Sequence, residues 1–178
     1  MIKTLFMEKK ITSPAVKGVI ISLVLIVFSL IIQFLNLTKN KGFSSVQFAI
    51  LIGGLIWSAI SFSKQMEGNV TFGGLFTHAF KTAAAVTAIM VVYTIISIKF
   101  ISPEIIDMAL QEARSGMEGK NMSDDQIDQA LNFTRKFFVP LAVGGALLSF
   151  LLMGVIGALI GAAIAKKNPQ RGPFVQQG

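Results

Sequence analysis

Cysteine is absent from the 178 residues, which excludes disulfides, thiolate nucleophiles and cysteine-ligated metals and leaves the redox compartment open. Charge is scarce as well: 14% of residues are charged, where a soluble domain of this size carries roughly a quarter. No Asp, Glu or Arg falls in the middle of any long apolar run. Such residues mark proton relays, ion pathways and voltage sensors inside membranes, so a proton-coupled carrier is hard to build from one copy of this chain. Histidine occurs once, as His78, beside no acidic cluster. Alone it reads as an interfacial residue rather than a metal ligand or a base.

What is present is apolar. Hydrophobic residues make up 53% of the chain, the reading of a polytopic membrane protein and not of an ordinary soluble domain. The net charge of +7 comes from lysines and arginines beside apolar runs, where they act as topology signals. No basic patch interleaves with aromatics on a polar face, so nucleic acid is not an expected partner.

Four runs are long enough to cross a bilayer. The basic stretch 1–13 resembles the start of a signal peptide, but the run after it lasts about twenty residues and no small-x-small cleavage site leads into a soluble domain, so an uncleaved first span is expected. Met7 is an alternative start to Met1. Ser13-Pro14 is a cap-plus-proline helix start, and 15–35 makes about 31 Å of helix against a hydrocarbon core of about 30 Å. Lys17 near its end is expected to extend its stem to the headgroups. Residues 36–44 form a short polar turn. Ser44-Ser45-Val46-Gln47 has the form of a capping box before a second span at 46–62, whose Gly53, Gly54 and Ser58 offer a small-residue packing face. Trp57, too deep for an interfacial belt, is expected between helices.

Helical spacing of Phe72, Leu75, Phe76, Ala79 and Phe80 leads into a third span at 80–100, with which it can form a single helix longer than the bilayer is thick. The polar segment Ser102 to Phe138 follows and holds seven of the nine acidic residues. Two amphipathic helices are expected in it. The first, 103–115, starts at Ser102-Pro103, carries a stripe through Ile105, Ile106, Ala109, Leu110 and Ala113, and is broken by Gly116 and Gly119. The second, 123–138, starts at a capping box, Ser123 to Gln126, with a stripe through Ile127, Ala130, Leu131, Thr134 and Phe138. Pro140 begins or kinks the fourth span, 140–165, in which Gly154, Gly157, Ala158 and Gly161 form ridges that let backbones approach closely in lipid. Residues 1–167 therefore read as one all-α transmembrane domain, and 168–178 as a disordered tail.

With four spans, both termini share a side. That side, with the second connection, holds nine Lys/Arg and two acidic residues, against seven and seven on the other. The bias and the lysines flanking the span ends place both termini in the cytoplasm and the acidic helices outside.

Reactive constellations are missing. Ser149 lacks the glycine-serine-glycine elbow of a hydrolase, and Gly116-Met117-Glu118-Gly119-Lys120 has neither the spacing nor the hydroxyl of a P-loop. The carboxylates of 102–138 read as solvated charge on two helix faces rather than a cation site. Four glycosylation-like triplets, at Asn36, Asn69, Asn121 and Asn132, are weak signals on their own. Gln33, Ser58, Thr87, Thr94 and Ser149 read as interhelical hydrogen-bond partners, or as the lining of a polar cavity in an oligomer. No catalytic residue, cofactor or metal is expected.

The stretch 72–81, Lys99-Phe100-Ile101-Ser102-Pro103, Met122-Ser123-Asp124-Asp125-Gln126-Ile127 followed by Pro140, and the ending Ala162-Ala163-Ile164-Ala165-Lys166-Lys167 resemble the bacterial membrane proteins catalogued as domain of unknown function 4199, common in Bacteroidetes. The resemblance covers residues 8–167 and implies a four-helix inner-membrane protein of a family without an established activity. The expected role is a non-enzymatic helix-association or accessory subunit, self-assembling or joined to another membrane protein in the lipid bilayer. The alternative is a small transporter or channel with a pore between protomers.

Overall fold

The computed structural model describes residues 11–35, 37, 42–118 and 122–168. Outside them lie the basic residues Lys3, Lys9 and Lys10, the choice of start, most of the first polar turn, Gly119, and the tail from residue 169. The described residues are helical: α1 (Pro14–Phe34), α2 (Gly42–Gln65), α3 (Phe72–Ile96), α4 (Glu104–Glu118) and α5 (Asp124–Ile164), with a π-helical turn, Ser97–Ile101, extending α3. Four of them, α1, α2, α3 with its π turn, and α5, are long and apolar enough to cross a membrane.

Local chemistry sets most helix starts. Ser13 accepts from the Val16 N–H and Pro14 occupies the first helical position. Thr71 caps α3 by accepting from Gly74. Ser123 opens α5 with a reciprocal capping box to Gln126. One expected start fails: helix α2 begins at Gly42, so Ser44–Gln47 lies inside its first turns and is not its cap. Helix α4 does start just after Ser102-Pro103, at Glu104, and the Ser102 hydroxyl donates to the Gln33 Oε1 at 3.2 Å. Gly116 also fails to break α4, which continues to Glu118; a lone glycine costs a helix only about 1 kcal/mol.

The largest departure is in the last helix. The segment 123–138 and the span 140–165 are one helix of 41 residues, about 61 Å long, with Pro140 inside it. Proline removes one backbone hydrogen bond, which membrane helices tolerate when neighbouring groups compensate. Its length is twice the hydrocarbon thickness, so α5 carries its polar first turns well beyond any bilayer its apolar part occupies. There it pairs with α4, and Leu110 and Ile127 are buried between them.

In the bundle α3 is central, packing on α1, α2 and α5; α2 packs on all three others, and α1 and α5 lie at opposite corners. At the end where α1 starts and α5 stops, called here the terminal end, the core is small: Ala59, Leu75, Ala79, Ala158 and Ala162. Toward the other, hairpin end it is larger, with Leu25, Leu51, Leu55, Val86, Met90 and Phe150. The turn from α2 to α3 passes through Glu67 and Gly68 at φ of 55° and 79°, a left-handed pair that glycine favours. Outward faces are apolar, including Leu23, Val27, Leu148 and Leu152. Water would not tolerate so continuous a surface, whereas lipid does. Trp57 belongs to this outer surface, 47% exposed, and is not packed between helices.

Candidate functional site

The inward residues of α1 are Lys17, Gly18, Ile21, Ser22 and Leu25, a stripe at helical spacing. Lys17 heads that stripe, so the phase of the helix turns it into the bundle. Gly18 permits the approach: a Cβ there would lie 2.7 Å from the Ala85 Cβ and 3.2 Å from the Thr82 carbonyl oxygen of α3. Lys17 is thereby carried onto His78, one turn before Thr82. It is 1% exposed and His78 is 6% exposed, correcting both the headgroup-reaching lysine and the interfacial histidine of the sequence reading.

The Lys17 ammonium donates to the Ser58 carbonyl oxygen at 3.1 Å and to the His78 Nε2 at 3.3 Å. An ammonium has no lone pair, so Nε2 accepts and the ring carries its proton on Nδ1. Phe62 stacks on the imidazole, with centroids 4.0 Å apart and planes 7° from parallel, and its ring lies 5.9 Å from the Lys17 Nζ. Thr82 donates to the His78 carbonyl at 3.0 Å, leaving its oxygen to accept from the Ser58 hydroxyl at 3.0 Å. Three helices are thus joined through one positive charge. Among the described residues no carboxylate pairs with it, since the ion pairs present are Arg114–Glu118 and Arg135–Asp107. Two adjacent bases that hold one proton can bind and pass a proton. They do not compose a nucleophile, a base and an oxyanion donor set.

A second polar cluster lies toward the hairpin end. The Gln33 amide donates to the Ser97 hydroxyl at 3.2 Å and contacts the Ser29 and Tyr93 hydroxyls at 3.4 Å, Tyr93 donates to Ser29 at 3.2 Å, and Ser102 returns to Gln33. These bonds secure the π turn, whose altered helical phase places Ser97 and Ser102 toward α1. Thr87 and Thr94 bond back to carbonyls of their own helix.

The small-residue positions separate clearly. A Cβ at Gly157 would meet Leu55 Cδ1 at 2.9 Å and Ile52 Cα at 3.3 Å, and one at Gly161 would meet Ala59 Cβ at 3.0 Å and Ile56 Cα at 3.1 Å, all on α2. Gly154 faces Ala83 of α3, Gly54 faces Ile21 of α1, and Ala158 and Ser58 are fully buried. These six therefore pack helices within one chain. Gly53 does not: nothing approaches its Cβ position, and the same holds for Gly144 and Gly145 of α5. Pattern reading missed Gly18, whose signal was its place beside Lys17 on the inward stripe. It also missed the Lys17 to His78 union, which no local signal carries across 61 residues.

The acidic residues of α4 and α5 are dispersed. Asp107 pairs with Arg135 at 2.8 Å, both side chains about two-thirds exposed, and the described residues contain no group of three or more metal-ligating side chains.

Residues 17–167 match the model of a family described as Protein of unknown function (DUF4199). No curated protein and no solved structure matches the chain.

Proposed function

We propose, for a chain that belongs to the DUF4199 family, the role of a non-enzymatic membrane subunit that works by helix association, with itself or with another membrane protein. One observation carries this reading. From Asp128 to Ser149 no residue of α5 is buried, and this stretch includes the exposed Phe133, Phe137, Leu141, Leu147 and Leu148 with the uncovered Gly144 and Gly145. An apolar helix face with open glycines is the surface on which a second membrane helix packs closely. The ridge at Gly154, Gly157 and Gly161 does not serve this purpose, being occupied by α2 and α3.

The membrane is the bacterial inner membrane, with both termini in the cytoplasm. Lys64, Lys166 and Lys167 gather at the terminal end, in keeping with the excess of basic residues on cytoplasmic flanks. The pair formed by α4 and the first turns of α5 then stands outside as two amphipathic helices. Their stripe residues are half-buried or buried while Glu104, Asp107, Glu112, Asp124, Asp125 and Asp128 are exposed, which supports that description.

The absence of native cysteine makes the test clean. Single cysteines at Gly144 and Leu148 are expected to form cross-linked adducts in native membranes, and one at Gly157 is expected to form none. Monomeric migration at every position from 141 to 152 would defeat the association reading. A cysteine at Glu112 is expected to react with an impermeant maleimide from the outer side.

The buried Lys17 and His78 pair favours a second reading, a small transporter or channel, because ionisable groups inside a membrane bundle commonly mark a conduction or coupling site. Proton or ion flux in liposomes, lost in Lys17→Met, would support it over the first.

A further inference from the structure

A groove follows the seam of α2 with α1, past Ile50, Gly53, Trp57, Ser61 and Lys64. Its character changes along its length. Toward the terminal end Trp57, Ile60, Ser61, Lys64 and Gln65 line a recess of about 290 Å³. Next to it, sharing Trp57 as a wall, a trough of about 330 Å³ runs between the helices, floored by Gly53, Gly54 and Ile21 and walled by Ile20, Val24 and Ile50. The trough is almost wholly apolar, and the recess carries an ammonium, a hydroxyl and an amide.

We propose that this groove is a binding site for one anionic phospholipid, its phosphate at Ser61 and Lys64 and an acyl chain along the trough over Gly53. Three observations fix the occupant. First, Ile50 lies fourteen residue steps from Lys64, about 21 Å of helix, which equals one leaflet: about 15 Å of hydrocarbon plus about 6 Å of headgroup. Second, no acidic side chain lines either part, and among the described residues Lys64 takes part in no ion pair, so its charge is available to a phosphate. Third, Gly53 has open space at its Cβ position although it lies in a tightly built bundle, so a chain can lie flush against the backbone there. The almost wholly apolar lining of the trough suits a single acyl chain. The head of the groove is also held in shape: the Thr12 N–H donates to Gln65 Oε1 and the Gln65 amide donates to the Thr12 hydroxyl, both at 3.1 Å, which fastens the start of α1 to the end of α2. The inference is independent of the association role, since the groove lies on α1 and α2 and not on the open face of α5.

The test uses the full chain, purified in detergent and stripped of lipid, then offered phosphatidylglycerol and phosphatidylcholine of identical acyl chains and read by native mass spectrometry. Phosphatidylglycerol is expected to be retained at least fivefold over phosphatidylcholine. Lys64→Gln should remove that preference and leave total lipid retention near the wild-type level, while Lys136→Gln, at the opposite end of the bundle, should leave the preference intact. Gly53→Leu places its Cβ in open space at the trough and should lower retention of both lipids severalfold, its fold being checked by an unchanged melting curve. Glycerol phosphate, the headgroup without chains, should not compete. Equal retention of the two lipids by the wild type overturns the proposal. So does wild-type retention by Gly53→Leu, competition by glycerol phosphate, which would mark a free-anion site, or cross-linking of Gly53→Cys to a protein.

Discussion

Two glycine-bearing stretches of α5, one before Phe150 and one after it, behave oppositely. From Phe150 onward the helix is sewn into α2 and α3, with Gly154, Gly157, Ala158, Gly161 and Ala162 all buried. Between Asp128 and Ser149, Gly144 and Gly145 stand open and every large apolar side chain is at least partly exposed. Glycine in a membrane helix therefore does not by itself announce an oligomer contact. It announces that something approaches, and in the second half that something is the chain's own α2. The contrast moves the proposed association surface by about three to four helical turns from where a glycine pattern alone would put it.

Substitution in the packed half should give the largest effect on the bundle. Gly157→Leu drives a side chain into Leu55 and the Ile52 backbone, and overpacking of this kind costs about 3 kcal/mol. Combined with Gly161→Leu it should prevent closure of α5 on α2, seen as loss of the cooperative melt in detergent. A double variant that melts like the wild type would dissolve the distinction between the halves.

Next in size is an asymmetry at the buried charge. His78→Ala leaves the Lys17 ammonium with the Ser58 carbonyl alone, and removal of one partner of a buried charge costs about 3 kcal/mol, measured as the shift in unfolding midpoint. Lys17→Met removes the charge and keeps the apolar stem, so its cost should stay within about 1 kcal/mol. If the two variants are equally destabilised, the ammonium is not the group that needs compensation.

Gln33→Leu, at the hairpin end, should cost about 1 kcal/mol, the scale of interhelical hydrogen bonds in membranes, and should raise hydrogen exchange at the π turn 97–101 more than elsewhere. Smallest for the fold is Gly144→Leu, whose Cβ position is open, and it should shift stability by less than about 0.5 kcal/mol. Its effect should appear in cross-linking yield instead, so a variant that loses both stability and adducts would mean that the open half is packed after all.

Much of the architecture was legible before any coordinates. Apolar runs separated by polar turns locate four helices because lipid leaves a backbone no other way to satisfy its hydrogen bonds, and Ser13-Pro14 and Ser123 mark starts through bonds made within three residues. The candidate site was less legible. Lys17 read as a residue reaching for headgroups because its neighbours in sequence are apolar, and only the position of His78 and the Ser58 carbonyl on other helices makes the inward rotamer favourable. The bond from Ser102 to Gln33 was invisible for the same reason: local rules rank local partners first, and Gln33 lies 69 residues away.

Hydrophobic periodicity, turn residues and caps are short-range properties, and they were sufficient to establish an all-helical chain with four apolar helices. Which glycines touch a neighbour, which lysine is enclosed and whether Pro140 ends a helix or rides inside one depend on how helices distant in sequence are set against each other. Those outcomes arise from side-chain packing and hydrogen bonding between elements, free energies that exist only once the bundle has closed.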